Sequence, residues 1–166
     1  NEDDLKVYSR DASIFEVKPK LVVKPKDVDD IKNLVKFVVD NKSSNPELSL
    51  TARAGGSDMT GGPLNESIIL DFASYYNTFL EIQRAPSGDR GWAVVEPGMF
   101  YRDFEKATLT KNLLLPSYPA SRVLCTVGGM VANNAGGEKS LRYGKTDNYV
   151  EELTVVLSDG NEYVFK

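Results

Sequence analysis

At 166 residues the chain has the length of one domain, or of two small lobes sharing a core, and can bury enough surface to fold without staples. Its 20 basic and 24 acidic side chains leave a formal net charge of −4, which supplies no field for nucleic acid or an anionic membrane, although local anion binding remains open. One cysteine and no histidine exclude an internal disulfide, disfavour a zinc cluster, and remove the commonest general base and triad partner. No window approaches the roughly 18 consecutive apolar residues of a membrane span, and the opening NEDDLKVYSR is too polar for a signal peptide, so a soluble, cytoplasmic protein is expected. The chain has no initiating Met and stops at Lys166 just after a strand-like run, which suggests a fragment.

Residues 6–11, KVYSRD, read as an ordinary N-terminal arm. LVVKP, Leu21 to Pro25, predicts a strand, and Ile31, Leu34, Val35, Val38 and Val39 recur at helical spacing behind Asp27, a suitable N-cap. After the polar loop NKSSNPE, LSLTAR predicts a second strand and SIILDF a third, completing a first α/β lobe over residues 1–75. TFLEIQ and WAVVEP predict paired strands joined by RAPSGDRG, and MFYRDFEKATLTKN a helix whose Phe100, Phe104 and Ala107 share a face. These open a second lobe over residues 76–166. Pro116 to Gly144 leaves room for one short helix, within GMVANNA, and EELTVVLSDGNEYVF predicts a hairpin around Asp159-Gly160.

Two glycine-rich segments carry the chemistry. Gly55 to Gly62 lies between two strands without the Lys of a P-loop and without the helix that follows a dinucleotide-binding G-x-G-x-x-G. Its amides can curve around an anion, with Arg53 nearby as a charge, or the loop can be a glycine-rich hairpin that binds nothing. In TVGGMVANNAGG, Gly128 and Gly129 stand where a helix N-terminus would offer unpaired N–H groups, and Asn133 and Asn134 add amide groups. The competing account is a tightly packed corner with Gly136 and Gly137 as C-cap. Two such openings suggest one extended ligand touching both.

The order YSRDAS, LVVKPKDVDDI, RAGGSDMTGG, VVEPGMFYRDF, LPSYPAS, TVGGMVANNAGG and RYGKTDNYVEELTVVLSDG resembles the FAD-binding domain of the vanillyl-alcohol oxidase and p-cresol methylhydroxylase superfamily. The nearest branch is the glycolate oxidase and D-lactate dehydrogenase type. The resemblance implies an α+β, two-lobed FAD-binding PCMH-type domain, truncated before its C-terminal part, with FAD in the crevice between the lobes. It places the pyrophosphate loop on Ala52, Arg53, Ala54, Gly55, Gly56, Ser57 and Asp58. Further contacts to the flavin and ribityl chain fall on Ala120, Ser121, Cys125, Thr126, Gly128 and Gly129, and on Asn133, Asn134, Ala135 and Gly136.

The resemblance implies an oxidoreductase of a small 2-hydroxy acid such as glycolate or D-lactate, in which FAD accepts hydride and the base and any metal ligands belong to a cap domain absent from these residues. No catalytic residue and no metal ligand is therefore assigned within this chain, which alone is expected to be inactive and largely FAD-free. Ser57 stands where covalently flavinylated relatives carry His, and a single thioether to Cys125 is improbable, so FAD is expected to be non-covalent. Asp58, where many relatives carry Gly or Ser, either points outward or repels the anion. An open sheet edge would invite self-association, and a peripheral membrane location stays open for the parent protein. The alternatives are an enolpyruvyl sugar-nucleotide reductase of cell-wall synthesis, against which LPSYPASRVLCTVGGMVANNAGG argues, and a non-redox nucleotide-binding module on the same scaffold.

Overall fold

The computed structural model describes residues 2–166, so the first residue of the expected 1–75 lobe lies outside it. The chain forms two units: the described residues through Phe72 with Glu151–Lys166, and Ala73–Val150.

In the first unit, helix α1 spans Glu2–Tyr8, strand β1 Leu21–Val23 and helix α2 Val28–Asn41. Asp27 caps α2 by accepting from the Asp30 N–H at 2.9 Å, and the Asp30 carboxylate reaches back to the Lys26 N–H at 2.8 Å. This reciprocal pair satisfies amides the helix start would leave orphaned, and Asp29 and Asp30 complement the helix dipole. Strands β2, Leu50–Arg53, and β3, Ile68–Asp71, complete a parallel sheet in the order β1-β3-β2. The central strand is buried along its whole length, from Ile69 at 0% exposure to Ile68 at 5%, as a strand covered on both faces must be.

Strands β6, Leu153–Val156, and β7, Glu162–Phe165, form the expected antiparallel hairpin with Gly160 at φ +76°. The hairpin belongs to the first unit, not to the second lobe where the sequence pattern placed it. Lys32 of α2 pairs with Glu162 at 2.9 Å, and buried Gly160 lies against Lys36, where a Cβ would meet Cγ at 3.4 Å.

In the second unit, β4, Phe79–Arg84, pairs antiparallel with β5, Gly91–Val95, ahead of helix α3, Tyr101–Leu109. Two short helices, α4 over Val127–Ala132 and α5 over Ser140–Tyr143, and a 3-10 turn over Thr146–Tyr149 follow. The Pro116 to Gly144 stretch thus holds more regular structure than its one predicted helix. The core is Met99, Tyr101, Phe104, Tyr118, Cys125 and Met130. Tyr101 stands at its centre with ring centroids 5.9 Å from Phe104 and 5.6 Å from Tyr118, contacts worth about 0.5–1.5 kcal/mol each beyond area burial. Its buried hydroxyl donates to the Leu115 carbonyl at 2.7 Å.

Candidate functional site

Strands β2 and β3 run parallel, so the chain leaving Arg53 must travel back along the sheet before entering Ile68. The glycine segment is this crossover, and a hairpin is incompatible with the strand direction. No helix covers it, which leaves its backbone open.

Gly56 sits at φ +61°, and a Cβ there would lie 2.8 Å from Cζ of Arg53. The guanidinium thus packs where a side chain would project. Arg53 donates from Nη2 to the Arg10 carbonyl at 2.8 Å and lies over the Tyr8 ring at 5.5 Å, while its buried Nη1 has no hydrogen-bond partner. Burial lowers the Arg53 pKa, opposed by Asp11, Tyr8 and Asp71, but a guanidinium remains a cation at neutral pH. Among the described residues, the amides of Gly55, Gly56 and Ser57 donate to no protein acceptor.

The far side of the loop is closed. The Asp58 carboxylate accepts from the Thr60 N–H at 3.3 Å, the Thr60 hydroxyl at 2.5 Å and the Gly62 N–H at 2.9 Å. Asp58 therefore uses its charge on its own turn. The Gly61 N–H donates to Asp11 at 3.1 Å, and the Ala12 N–H to the Asp58 carbonyl at 3.0 Å.

The second segment differs from its expected geometry. At the start of α4, the Val127 N–H donates to the Met99 carbonyl and the Gly128 N–H to the Pro97 carbonyl, each at 2.8 Å. The Gly129 N–H goes to the Thr126 hydroxyl at 3.2 Å and the Met130 N–H to the Thr126 carbonyl at 2.9 Å. The first four amides of this helix are thus satisfied by protein, and the expectation of an N-terminus open to an anion is corrected. Gly128 lacks a side chain for packing reasons, since a Cβ would fall 2.7 Å from the Pro97 carbonyl oxygen and 2.8 Å from its Cα. The C-terminal cap is not at Gly136 and Gly137. Asn134, at φ +43°, takes the left-handed position, with its N–H on Val131 at 3.1 Å and the Ala135 N–H on Met130 at 2.8 Å, a Schellman arrangement.

The remaining predicted residues divide by exposure. Thr126 at 0% and Cys125 at 4% present almost no surface, and burial pushes the Cys125 thiol pKa up. Ala135 accepts from the Thr146 N–H and hydroxyl, and Asn134 Oδ1 from the Asp147 N–H at 3.0 Å. Ala120 and Asn133 are exposed, and Ser121 and Gly136 half-buried.

A family model described as an FAD binding domain matches residues 19–165. The chain belongs to the FAD-binding domain family. Among curated relatives of this FAD-binding domain, glycolate oxidase subunit GlcD of Bacillus subtilis (strain 168) is 31% identical over 158 residues, 93% of this chain and 32% of its own length. D-lactate dehydrogenase of Archaeoglobus fulgidus is 34% identical over 142 residues, 84% of this chain and 29% of its own. D-2-hydroxyglutarate dehydrogenase of Escherichia coli (strain K12) is 29% identical over 158 residues, 95% of this chain and 15% of its own. The chain thus spans about a third or less of the length of these relatives. Its fold is that of the solved alkyldihydroxyacetonephosphate synthase, with TM-score 0.80 and 16% identity over all of this chain and 31% of that one. It is equally that of 6-hydroxy-D-nicotine oxidase from Arthrobacter nicotinovorans, with TM-score 0.75 and 18% identity over 97% of this chain and 33% of that one.

The donor set of the first loop fits the family's cofactor. FAD carries a pyrophosphate, and three consecutive unpartnered amides around a left-handed glycine, with a buried guanidinium nitrogen lacking an acceptor, are what such an anion requires. The sequence reading missed residues 10–15, whose ties to this loop carry no motif. Only their proximity in the fold reveals them.

Proposed function

We propose that this FAD-binding domain is the cofactor-holding part of an oxidoreductase acting on a small 2-hydroxy acid such as glycolate or D-lactate. The observation that carries the reading is the open Gly55–Ser57 amide run beside Arg53, in a chain whose curated relatives include a glycolate oxidase subunit and D-2-hydroxy acid dehydrogenases. Ala52 to Asp58 holds the pyrophosphate: the Gly55, Gly56 and Ser57 amides donate to it, and Arg53 offsets its charge. In the second unit, Ala120, Ser121, Asn133 and Gly136 supply the accessible contacts, while Cys125, Thr126, Gly128, Gly129, Asn134 and Ala135 form the packed support beneath them.

FAD supplies the two-electron acceptor when bound; the chain's own residues bind and orient it. FAD is held non-covalently, as no His is present and Cys125 is buried with its thiol protonated. The same reading places the protein in the cytoplasm, in keeping with its single unpaired cysteine. Among the described residues no helix is long and apolar enough to cross a membrane. Strand β7, with Tyr163, Val164 and Phe165 at 40%, 54% and 52% exposure, is the surface through which copies self-associate, and light scattering that finds only monomer would remove this element.

The test is anaerobic reduction of the flavin in the full-length protein. Bleaching by glycolate or D-lactate, and not by the L-enantiomer of lactate, supports the reading. A flavin reduced by neither 2-hydroxy acid contradicts the substrate class.

A further inference from the structure

We infer that residues Tyr8–Phe15 are a clamp that pre-shapes the pyrophosphate loop, and that Asp11 is its positioning residue. The inference rests on the reading of Ala52 to Asp58 as the pyrophosphate loop and adds a segment that precedes the family match at residue 19.

The clamp is anchored before it reaches the loop. Tyr8 donates to Asp71, at the end of the central strand, at 2.8 Å, and Ser9 is 2% exposed. Beyond the turn, the Val17 N–H donates to the Ser9 carbonyl at 2.9 Å and the Arg10 guanidinium pairs with Glu16. These ties fold residues 9–17 into a narrow bracket. Asp11 stiffens its tip, with Oδ1 accepting from the Ser13 N–H at 2.9 Å and Oδ2 from the Gly61 N–H at 3.1 Å.

The bracket holds the loop at each part that would otherwise be free. Arg10 offers its carbonyl to Arg53, the Ala12 N–H holds the Asp58 carbonyl, and Asp11 holds Gly61. Phe15 covers Gly61, where a Cβ would meet its ring Cδ2 at 3.0 Å, and Gly61 itself lies at φ +84°. Gly55, Gly56, Gly61 and Gly62 make the loop the segment with the most backbone freedom to lose, so an unbraced loop would pay its ordering entropy on each encounter with ligand. With the clamp in place, the Gly55–Ser57 amides are ordered in advance. Asp11 acts through Gly61, at the opposite end of the loop from those amides, and touches no proposed ligand atom.

The experiment compares wild type with Asp11→Ala, Asp11→Asn and Tyr8→Phe, by FAD titration and by hydrogen exchange of the FAD-free protein. Asp11→Ala should accelerate exchange over residues 54–62, leave α2 and α3 unchanged, and weaken FAD binding about tenfold or more. Asp11→Asn keeps an acceptor for the Gly61 N–H and should restore most of both. Tyr8→Phe loosens only the anchor and should move both in the same direction by less, which also covers a failure of Asp11→Ala to fold. Wild-type binding with unchanged affinity and exchange in Asp11→Ala overturns the clamp. So does acceleration spread evenly through the first unit, which marks a general fold contact. If wild type binds no FAD, the pyrophosphate reading fails and the exchange pattern alone decides the clamp.

Discussion

Replacing Gly128 by Ala separates two meanings of a glycine. If the residue is small so that α4 can dock on Pro97, the new Cβ lies 2.7 Å from the Pro97 carbonyl oxygen and 2.8 Å from its Cα, both backbone atoms that cannot rotate aside. Such overpacking costs about 1–3 kcal/mol. The Gly128 N–H to Pro97 bond, 2.8 Å long, is stretched by the same displacement at a cost of about 1 kcal/mol. Opposing both, Ala is favoured over Gly inside a helix by about 1 kcal/mol. The net expectation is a loss of about 1–3 kcal/mol with no ligand present, which at a urea m-value of about 2 kcal/mol/M lowers the midpoint by about 0.5–1.5 M. Urea unfolding without FAD is the assay. An unchanged or raised midpoint together with weakened FAD binding would refute the packing account and restore Gly128 as a ligand-facing residue.

Gly56→Val should act in the opposite way. A β-branched side chain resists φ +61° and pushes into the Arg53 guanidinium, so FAD binding should be abolished while α2 and the second unit stay folded, as read by titration and circular dichroism. Acid precipitation of the flavin-loaded protein should release all colour to the supernatant, and flavin retained in the pellet contradicts non-covalent binding. Burial raises the Cys125 pKa, so less thiolate exists in the folded than in the unfolded chain at any given pH. Disulfide-exchange reagents should therefore react slowly near pH 8 and rapidly in urea. This group's contribution to stability is complete below its unfolded pKa and declines as pH rises towards its folded value, a decline that Cys125→Ala should remove.

Where local chemistry determines structure, the sequence was legible. Asp27 announced α2, the Asp159-Gly160 turn announced the last hairpin, and the paired strands around RAPSGDRG have their expected partners. Residues 2–8 were not legible as a helix, because EDDLKVY is short and polar and is tied to the fold through Tyr8 and Asp71. Val39 has the helical spacing of a core residue but is 51% exposed, since only part of the apolar stripe of α2 is covered. The glycines show the deeper limit. Gly56 and Gly128 look alike in sequence, yet one lacks a side chain beside unpartnered amides and the other because Pro97 occupies its space. A neighbour so distant in the chain leaves no local signal. For the same reason the four satisfied amides of α4 could not be foreseen: their acceptors on Pro97 and Met99 belong to the turn before α3.

The central claim is that the Gly55–Ser57 amides hold the FAD pyrophosphate, and an amide-resolved NMR titration of this chain with FAD tests it most directly, at weak as well as tight affinity. The account predicts saturable shifts at Gly55, Gly56 and Ser57, reproduced by ADP, which shares the pyrophosphate, and much reduced with riboflavin, which lacks it. The amides of Val127 and Gly128, already committed to carbonyls, should shift little. FAD binding that leaves Gly55 to Ser57 unmoved, or that shifts the α4 amides instead, would contradict the account.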